Sequence, residues 1–128
     1  MSLSSDDIKI ISNLSPTERY RHFIQTVAES GELWTVIDRD GNFTLEEIES
    51  NTVLSFWTNE SFIESNLTPD WKECIPYKLD MDALENVVIP LIRQNNYLIN
   101  VFPVNSRTGY IVTLIDFVKD LNNTLSRY

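Results

Sequence analysis

Residues that often build catalytic and metal-binding sites are scarce in this chain. It has one histidine, His22, and one cysteine, Cys74, among 128 residues. A single cysteine excludes an internal disulfide framework, and one Cys with one His cannot supply the common zinc ligand sets. A serine or cysteine nucleophile would have to use His22, which lies off the apolar stripe of its predicted helix and is expected at the surface. The sequence therefore predicts no catalytic residue, no metal and no cofactor.

Glycine and long apolar runs are also scarce. Three widely spaced glycines cannot form a glycine-rich phosphate-binding loop. No stretch has the roughly 18 apolar residues of a membrane-spanning helix, and the opening segment MSLSSDDIKI lacks the basic and apolar regions of a signal peptide. The sequence therefore favours a cytoplasmic protein that does not bind membranes.

Basic residues are outnumbered by acidic ones. The chain has 10 Lys and Arg against 19 Asp and Glu, which gives a net charge of −9. A negative field repels phosphate backbones and anionic lipid, so nucleic acid and membrane surfaces are not expected partners. The same field favours a basic protein partner or a cation. With 42% hydrophobic and 23% charged residues, the composition is that of an ordinary globular domain.

The clearest local signal is a helix start in the segment SPTE. Ser15 and Glu18 form a capping box around Pro16, and Gly31 is expected to end the helix. Between them, apolar residues recur at the spacing of one helix face. The predicted buried stripe is Tyr20, Phe23, Ile24 and Val27.

Two longer helices and one short helix are predicted further along the chain. Asp80 and Thr113 are the expected N-caps of the longer helices, and Pro90 should kink or divide the first of them. The short helix is expected to follow Thr58 as its cap. The predicted apolar stripes are Leu84, Val87, Val88, Leu91 and Ile92 in the first, Leu114, Phe117, Val118, Leu121 and Leu125 in the second, and Phe62, Ile63 and Leu67 in the short helix.

Strand signals lie between these helices. They are ELWTVI, FTLEEI, TVLSFW, ECIPYKL, NNYLINVFPV and GYIVT. The turn DRDGN is expected to join the first two as a hairpin, Pro76 favours an edge position for the fourth, and Trp34 and Trp57 are expected in the core. The predicted fold is α+β: residues 1–14 form an N-terminal lead-in, and residues 15–128 form a single small domain with a mainly antiparallel sheet packed with about four helices.

One segment of the acidic hairpin resembles a calcium-binding loop. Asp38, Asp40, Asn42 and Glu49 occupy its first, third, fifth and twelfth positions. The sixth position, however, is Phe43, where the loop needs glycine for the sharp turn that folds the ligands around the ion. The flanking segments also read as strands, whereas an EF-hand needs a helix on each side. The interpretation is an acidic β-hairpin whose turn uses Asp, Gly and Asn.

Six residues are candidates for binding. Trp71 in the loop TPDW and Arg107 at the tip of NSRTG are residue types that interfaces favour, and both are predicted on loops. The acidic hairpin supplies the other four, for which a weak cation site of a different kind stays open as an alternative. These four are Asp38, Asp40, Glu46 and Glu47.

Five segments together resemble one known family. They are ERYRHFI (18–24), LWTVIDRDG (33–41), LSFWTNESFIES (54–65), LDMDALENVVIPLI (79–92) and INVFPVNSRTGYIVTLIDFVKDL (99–121). In order and spacing they resemble a family of small bacterial proteins called domain of unknown function 2750, from about residue 15 to the end. The resemblance implies a small α+β fold with DRDG as a turn between strands. It implies no activity and no functional residues.

Two functions from different classes are compatible with these observations. The first is a non-enzymatic protein-interaction module, either an immunity-type inhibitor of a basic toxin or an adaptor, which the acidic charge and the absence of a catalytic constellation favour. The alternative is a small-ligand binder or an enzyme that uses carboxylates in a cleft. A deep acidic pocket would favour the alternative.

Overall fold

The computed structural model describes residues 4–65, 74–104 and 107–127. Two helices, α1 (Ser5–Ser12) and α2 (Pro16–Ser30), precede the strands β1 (Glu32–Ile37), β2 (Leu45–Ile48) and β3 (Asn51–Phe56). The helix α3 (Glu60–Ser65) and the strand β4 (Ile75–Asp80) follow. A composite helix then comprises α4 (Met81–Ala83), a π-helical segment (Leu84–Val88) and α5 (Ile89–Asn95). The chain continues with β5 (Leu98–Val101), β6 (Tyr110–Val112) and α6 (Leu114–Leu125).

The strands form two sheets that meet at a pair of tryptophans. β1 pairs antiparallel with β4, and the second sheet has the order β2-β3-β5-β6, in which only the β3–β5 pair is parallel. Trp34 in β1 and Trp57 just after β3 exchange two backbone hydrogen bonds of 2.8 Å, which link the sheets. The predicted α+β class with a mainly antiparallel sheet is confirmed.

The predicted partner of β2 is wrong. The DRDGN turn does bring Phe43 opposite Ile37, but this is an isolated bridge. β2 instead pairs with β3 through a two-residue turn at Glu49 and Ser50, both of which have positive φ, 49° and 70°. Because β2 leaves β1 after one bridge, the acidic segment spans the junction between the two sheets.

α2 forms as its sequence predicts. Ser15 and Glu18 make both hydrogen bonds of the capping box, and Gly31 ends the helix in the left-handed conformation with φ 72°. The predicted stripe is buried, and burial of each such side chain contributes about 1.5–3 kcal/mol. Its members are Tyr20, Phe23, Ile24 and Val27. This face packs against α6, β5 and β6.

The composite helix departs from a regular helical period. Asp80 caps it through the backbone N–H of Ala83, and Pro90 is the second residue of α5, directly after the π-helical segment. The helix was predicted to kink or divide at Pro90, and it instead continues through Pro90 as it changes from π to α geometry. The wider π turn shifts the buried face to a spacing of four residues. Val87, predicted to be buried, is 53% exposed. The buried members are Leu84, Val88 and Ile92.

Of the N-caps predicted for α6 and α3, the first is found in the structure and the second is not. Thr113 caps α6 by accepting a hydrogen bond from the backbone N–H of Asp116. At α3, the side chain of Asn59, rather than the predicted Thr58, accepts from the backbone N–H of Ser61. Of the apolar residues predicted for these two helices, Leu67 lies outside the described residues and Leu125 is partly exposed.

The core is rich in aromatic side chains. Trp57 is fully buried and its indole N–H donates to the carbonyl of Pro103 at 2.8 Å, whereas Trp34 is only partly buried. The rings of Phe23, Phe56 and Phe117 form a three-way cluster, with centroid distances of 6.3, 6.1 and 5.8 Å. Among the described residues, no helix has the length and apolarity needed to cross a bilayer.

Candidate functional site

The turn of the acidic hairpin is closed by its own first aspartate. Asp38 Oδ1 accepts hydrogen bonds from the backbone N–H groups of Asp40 and Asn42, at 2.9 and 3.0 Å. The backbone N–H of Asp38 also donates to the carbonyl of Asn42 at 2.9 Å. Gly41 adopts a positive φ of 83° and Phe43 packs beside the core. The segment is therefore a tight turn closed by one isolated bridge, and the elements on either side of it are the strands β1 and β2 rather than the two helices of an EF-hand.

The four acidic candidates are not gathered around one position. Glu46 and Glu47 are neighbours on β2 and therefore point to opposite faces of the sheet. Glu47 accepts a hydrogen bond from the hydroxyl of Thr52 on β3. In the described part of the chain, no group of three or more Asp, Glu, His or Cys residues is arranged to hold a metal ion. The alternative of a weak cation site at Asp38, Asp40, Glu46 and Glu47 therefore has no support in the geometry.

An exposed apolar surface lies beside the acidic turn. Ile37 on β1 faces Ile75 on β4 and faces Phe43 on its other side, so the three side chains share one face. Tyr77 lies on the same face and meets Phe43 edge-to-face at 6.4 Å. Ile75 is 56% exposed and Tyr77 is 44% exposed. The acidic-apolar patch denotes these four side chains together with the turn residues Asp38 and Asp40.

The two loop candidates have different outcomes. Trp71 lies outside the described residues. Arg107 is exposed after β5, where its backbone N–H donates to the carbonyl of Val104 at 2.9 Å. It lines a cleft of about 420 Å³ between the α1–α2 connection and the segment that follows β5. The name arginine cleft is used for this feature, whose lining includes Ser12, Asn13, Arg19, Arg107 and Thr108.

Arg19 is a buried member of this cleft that the sequence analysis missed. It is 4% exposed, its Nε donates to the carbonyl of Phe102 at 3.1 Å, and its Nη1 donates to the carbonyl of Leu14. Burial, followed by the positive charge of Arg107, lowers the pKa of Arg19. A signal was present, because Arg19 precedes the buried Phe23 by four residues and so lies on the same helix face.

His22 is not the surface residue that its helix position suggested. It is partly buried, and its ring lies 6.1 Å from that of Phe102. Burial lowers the pKa of His22, with a smaller opposing effect from Glu29.

A second and larger cleft lies along the contact between α2 and α6. Its volume is about 750 Å³, and Tyr20, Tyr110 and Asp120 lie along it with Arg21 and Arg127. Burial, reinforced by the hydrogen bond to Asp120, raises the pKa of Tyr20, so the phenol stays protonated and donates. The phenol of Tyr20 and the carboxylate of Asp120 thus satisfy one another.

The order of helices and strands and the two sheets define a small α+β domain. A family model described as "Protein of unknown function (DUF2750)" matches residues 20–121. The chain therefore belongs to this family, as the sequence resemblance indicated. A search of curated proteins finds no match.

Proposed function

We propose that this protein is a non-enzymatic protein-interaction module that binds a basic segment of a partner protein on the acidic-apolar patch. The observation that carries the proposal is the position of the exposed Ile75 and Tyr77, which share a face with Ile37 and lie next to the acidic turn. Exposed apolar surface with a charged rim is typical of interaction sites.

Charge decides the kind of partner. The net charge of −9 attracts basic chains over long distances, and Asp38 and Asp40 place negative charge at the end of the apolar row. The apolar side chains supply burial after the encounter, since burial contributes most of the affinity while charge mainly sets the association rate. An immunity-type inhibitor of a basic toxin or an adaptor, acting in the cytoplasm, would use such a surface.

The test uses two fluorescent peptides, one with alternating lysine and valine and one with alternating lysine and serine. Binding to the wild type is measured by fluorescence anisotropy at low and high salt. The lysine–valine peptide is expected to bind more tightly, and the Ile75→Ser/Tyr77→Ser variant is expected to lose that preference without any change in charge. The Asp38→Asn/Asp40→Asn variant should weaken both peptides, because asparagine keeps the turn and removes two charges.

A matched control removes two charges elsewhere. Glu64 and Glu85 are exposed on α3 and the π-helical segment, so Glu64→Gln/Glu85→Gln changes the net charge equally without touching the patch. Equal weakening in the control and in the aspartate variant would mean that general attraction explains binding, and the proposal would then fail. It would also fail if the serine peptide bound as well as the valine peptide.

A further inference from the structure

The arginine cleft contains a positive charge that has no acidic partner among the described residues. Arg19 is 4% exposed, and both of its hydrogen bonds go to backbone carbonyls, which carry no net charge. Buried arginines are normally paired with an acid, because an unpaired buried charge is costly. Within residues 4–65, 74–104 and 107–127, no carboxylate forms an ion pair with Arg19. In the described part of the chain, Arg19 is therefore a buried cation hydrogen-bonded only to neutral groups.

Among the described residues that line the cleft, the one acid is Glu18, and its carboxylate already accepts a backbone hydrogen bond. Glu18 Oε1 accepts the backbone N–H of Ser15 at 3.2 Å, and the hydrogen bonds from Ser15, followed by the charge of Arg21, lower the pKa of Glu18. This carboxylate holds the start of α2 and does not neutralise Arg19. The chain has 19 acidic and 10 basic residues, so a shortage of acids does not explain why Arg19 bonds only to neutral carbonyls.

A second guanidinium faces the same space. Arg107 lines the cleft from the segment after β5, and its charge adds to the burial effect on Arg19. Two like charges at one cleft repel each other, and an anion placed between them would relieve that repulsion. The neighbouring side chains of Ser12, Asn13 and Thr108 supply neutral hydrogen-bond donors.

The backbone holds Arg19 in place. Phe102, whose carbonyl accepts from Arg19, has a φ of 64°, which is strained for a residue with a bulky side chain. Two interactions stabilise this strained conformation of Phe102. Its backbone N–H donates to the carbonyl of Phe56 at 2.8 Å, and its ring is completely buried. Two fixed carbonyls therefore orient the guanidinium before any ligand arrives, which lowers the cost of binding.

We infer that the arginine cleft is a binding site for a small oxyanion, a carboxylate or phosphate group on a low-molecular-weight ligand, held by Arg19 and Arg107. Guanidinium groups match both oxyanions because they donate parallel hydrogen bonds in a fixed plane. The volume of about 420 Å³ suits a small molecule. The overall charge of −9 repels polyanions, so the ligand carries few charges.

The test compares inorganic phosphate, succinate and sodium chloride at equal ionic strength. Binding is followed by the thermal unfolding midpoint and by NMR shifts of the backbone amides of Asn13 and Thr108. Phosphate or succinate is expected to raise the midpoint above the chloride value and to shift both amides. Whichever of phosphate and succinate gives the larger rise in the midpoint is the preferred oxyanion.

Arg107→Gln is the principal variant, because the exposed side chain can be changed while its backbone bond remains. Loss of a charged hydrogen-bonding group predicts an affinity at least roughly tenfold lower. The control is Arg93→Gln on α5, which makes the same charge change away from the cleft and is expected to bind like the wild type. Arg19→Lys keeps the positive charge but loses the parallel N–H donors of the guanidinium, so this variant should bind the anion more weakly than the wild type.

Equal responses to phosphate, succinate and chloride would overturn the inference, as would equal affinities of Arg107→Gln and Arg93→Gln. The arginine cleft and the acidic-apolar patch share no residue. Failure of either proposal is therefore visible separately, in the anion titration for the cleft and in the peptide titration for the patch.

Discussion

The phenol of Tyr20 donates a 2.6 Å hydrogen bond to Oδ2 of Asp120, a residue 100 positions later in the chain. The Tyr20 ring also stacks on Tyr110, with centroids 4.4 Å apart and an interplanar angle of 22°. One side chain of α2 thus contacts both α6 and β6. Because Tyr20 is buried and its pKa is raised, the phenol remains a donor throughout the neutral range.

Removal of this hydroxyl should loosen the α2–α6 contact. Tyr20→Phe keeps the stacked ring and deletes a hydrogen bond to a charged acceptor, so the free energy of unfolding is expected to fall by about 1–3 kcal/mol. Urea denaturation followed by circular dichroism measures the change. Tyr77→Phe, at an exposed position, is the matched control and should be close to neutral. Equal stability of the two variants would contradict a stabilising Tyr20–Asp120 bond.

Features set by neighbouring residues were predictable from the sequence. In α2 these features are the capping box, the C-terminal glycine and the buried stripe. All three lie within one short segment, where local hydrogen bonds and the helical period determine them.

Two features were not predictable, for different reasons. The β2–β3 hairpin is local, but Glu49 and Ser50 make its turn with two positive φ values, and neither residue type signals such a turn in the sequence. Arg107 was recognisable as a loop residue. Its neighbour Arg19 was not recognised as a site residue, because the bond from Arg19 to Phe102 joins positions 83 apart.

The turn between β2 and β3 offers a stabilising substitution. Glu49 and Ser50 have φ values of 49° and 70°, which cost energy for residues with ordinary side chains and cost little for Asn and Gly. Glu49→Asn/Ser50→Gly is therefore expected to raise the free energy of unfolding by about 1 kcal/mol. Chemical denaturation of the variant beside the wild type measures it. A less stable variant would mean that the Glu49 and Ser50 side chains make a larger contribution than the backbone strain.

His22 should make stability depend on pH below neutrality. Burial lowers its folded-state pKa below the ordinary 6.5, so the unfolded chain binds a proton more readily than the folded one. The free energy contributed by neutral His22 is thus fully present above pH 6.5 and is lost as the pH falls below it. His22→Gln is expected to flatten this slope. Denaturation at a series of pH values from 7.5 to 5 for both proteins tests it, and parallel slopes would refute the assignment to His22.

Gly109 lies where any side chain would collide with the backbone. A Cβ atom at this position would come 2.1 Å from the carbonyl oxygen of Val101 and 2.8 Å from the nitrogen of Pro103. Gly109→Ala is therefore expected to cost about 1–3 kcal/mol or more, as overpacking does. Gly31→Ala is the comparison, because its φ of 72° strains alanine while no atom lies within 4 Å of the new methyl group. It should cost about 1 kcal/mol. A Gly109→Ala variant as stable as the wild type would show that β5 and β6 can separate freely.

Removal of two buried hydroxyls, one on β1 and one on β3, should affect the free energy of unfolding differently. Thr35 Oγ1 donates to the carbonyl of Ser55 at 2.8 Å, whereas the hydroxyl of Ser55, buried as well, has no hydrogen-bond partner among the described residues. Thr35→Val deletes a made bond and should lower the free energy of unfolding by about 1 kcal/mol. Ser55→Ala removes a hydroxyl that is buried from water without a hydrogen bond to compensate, so the free energy of unfolding should be unchanged or slightly higher. Urea denaturation of both variants decides the matter. A marked loss in Ser55→Ala would mean that this hydroxyl is bonded in solution, for example to a buried water.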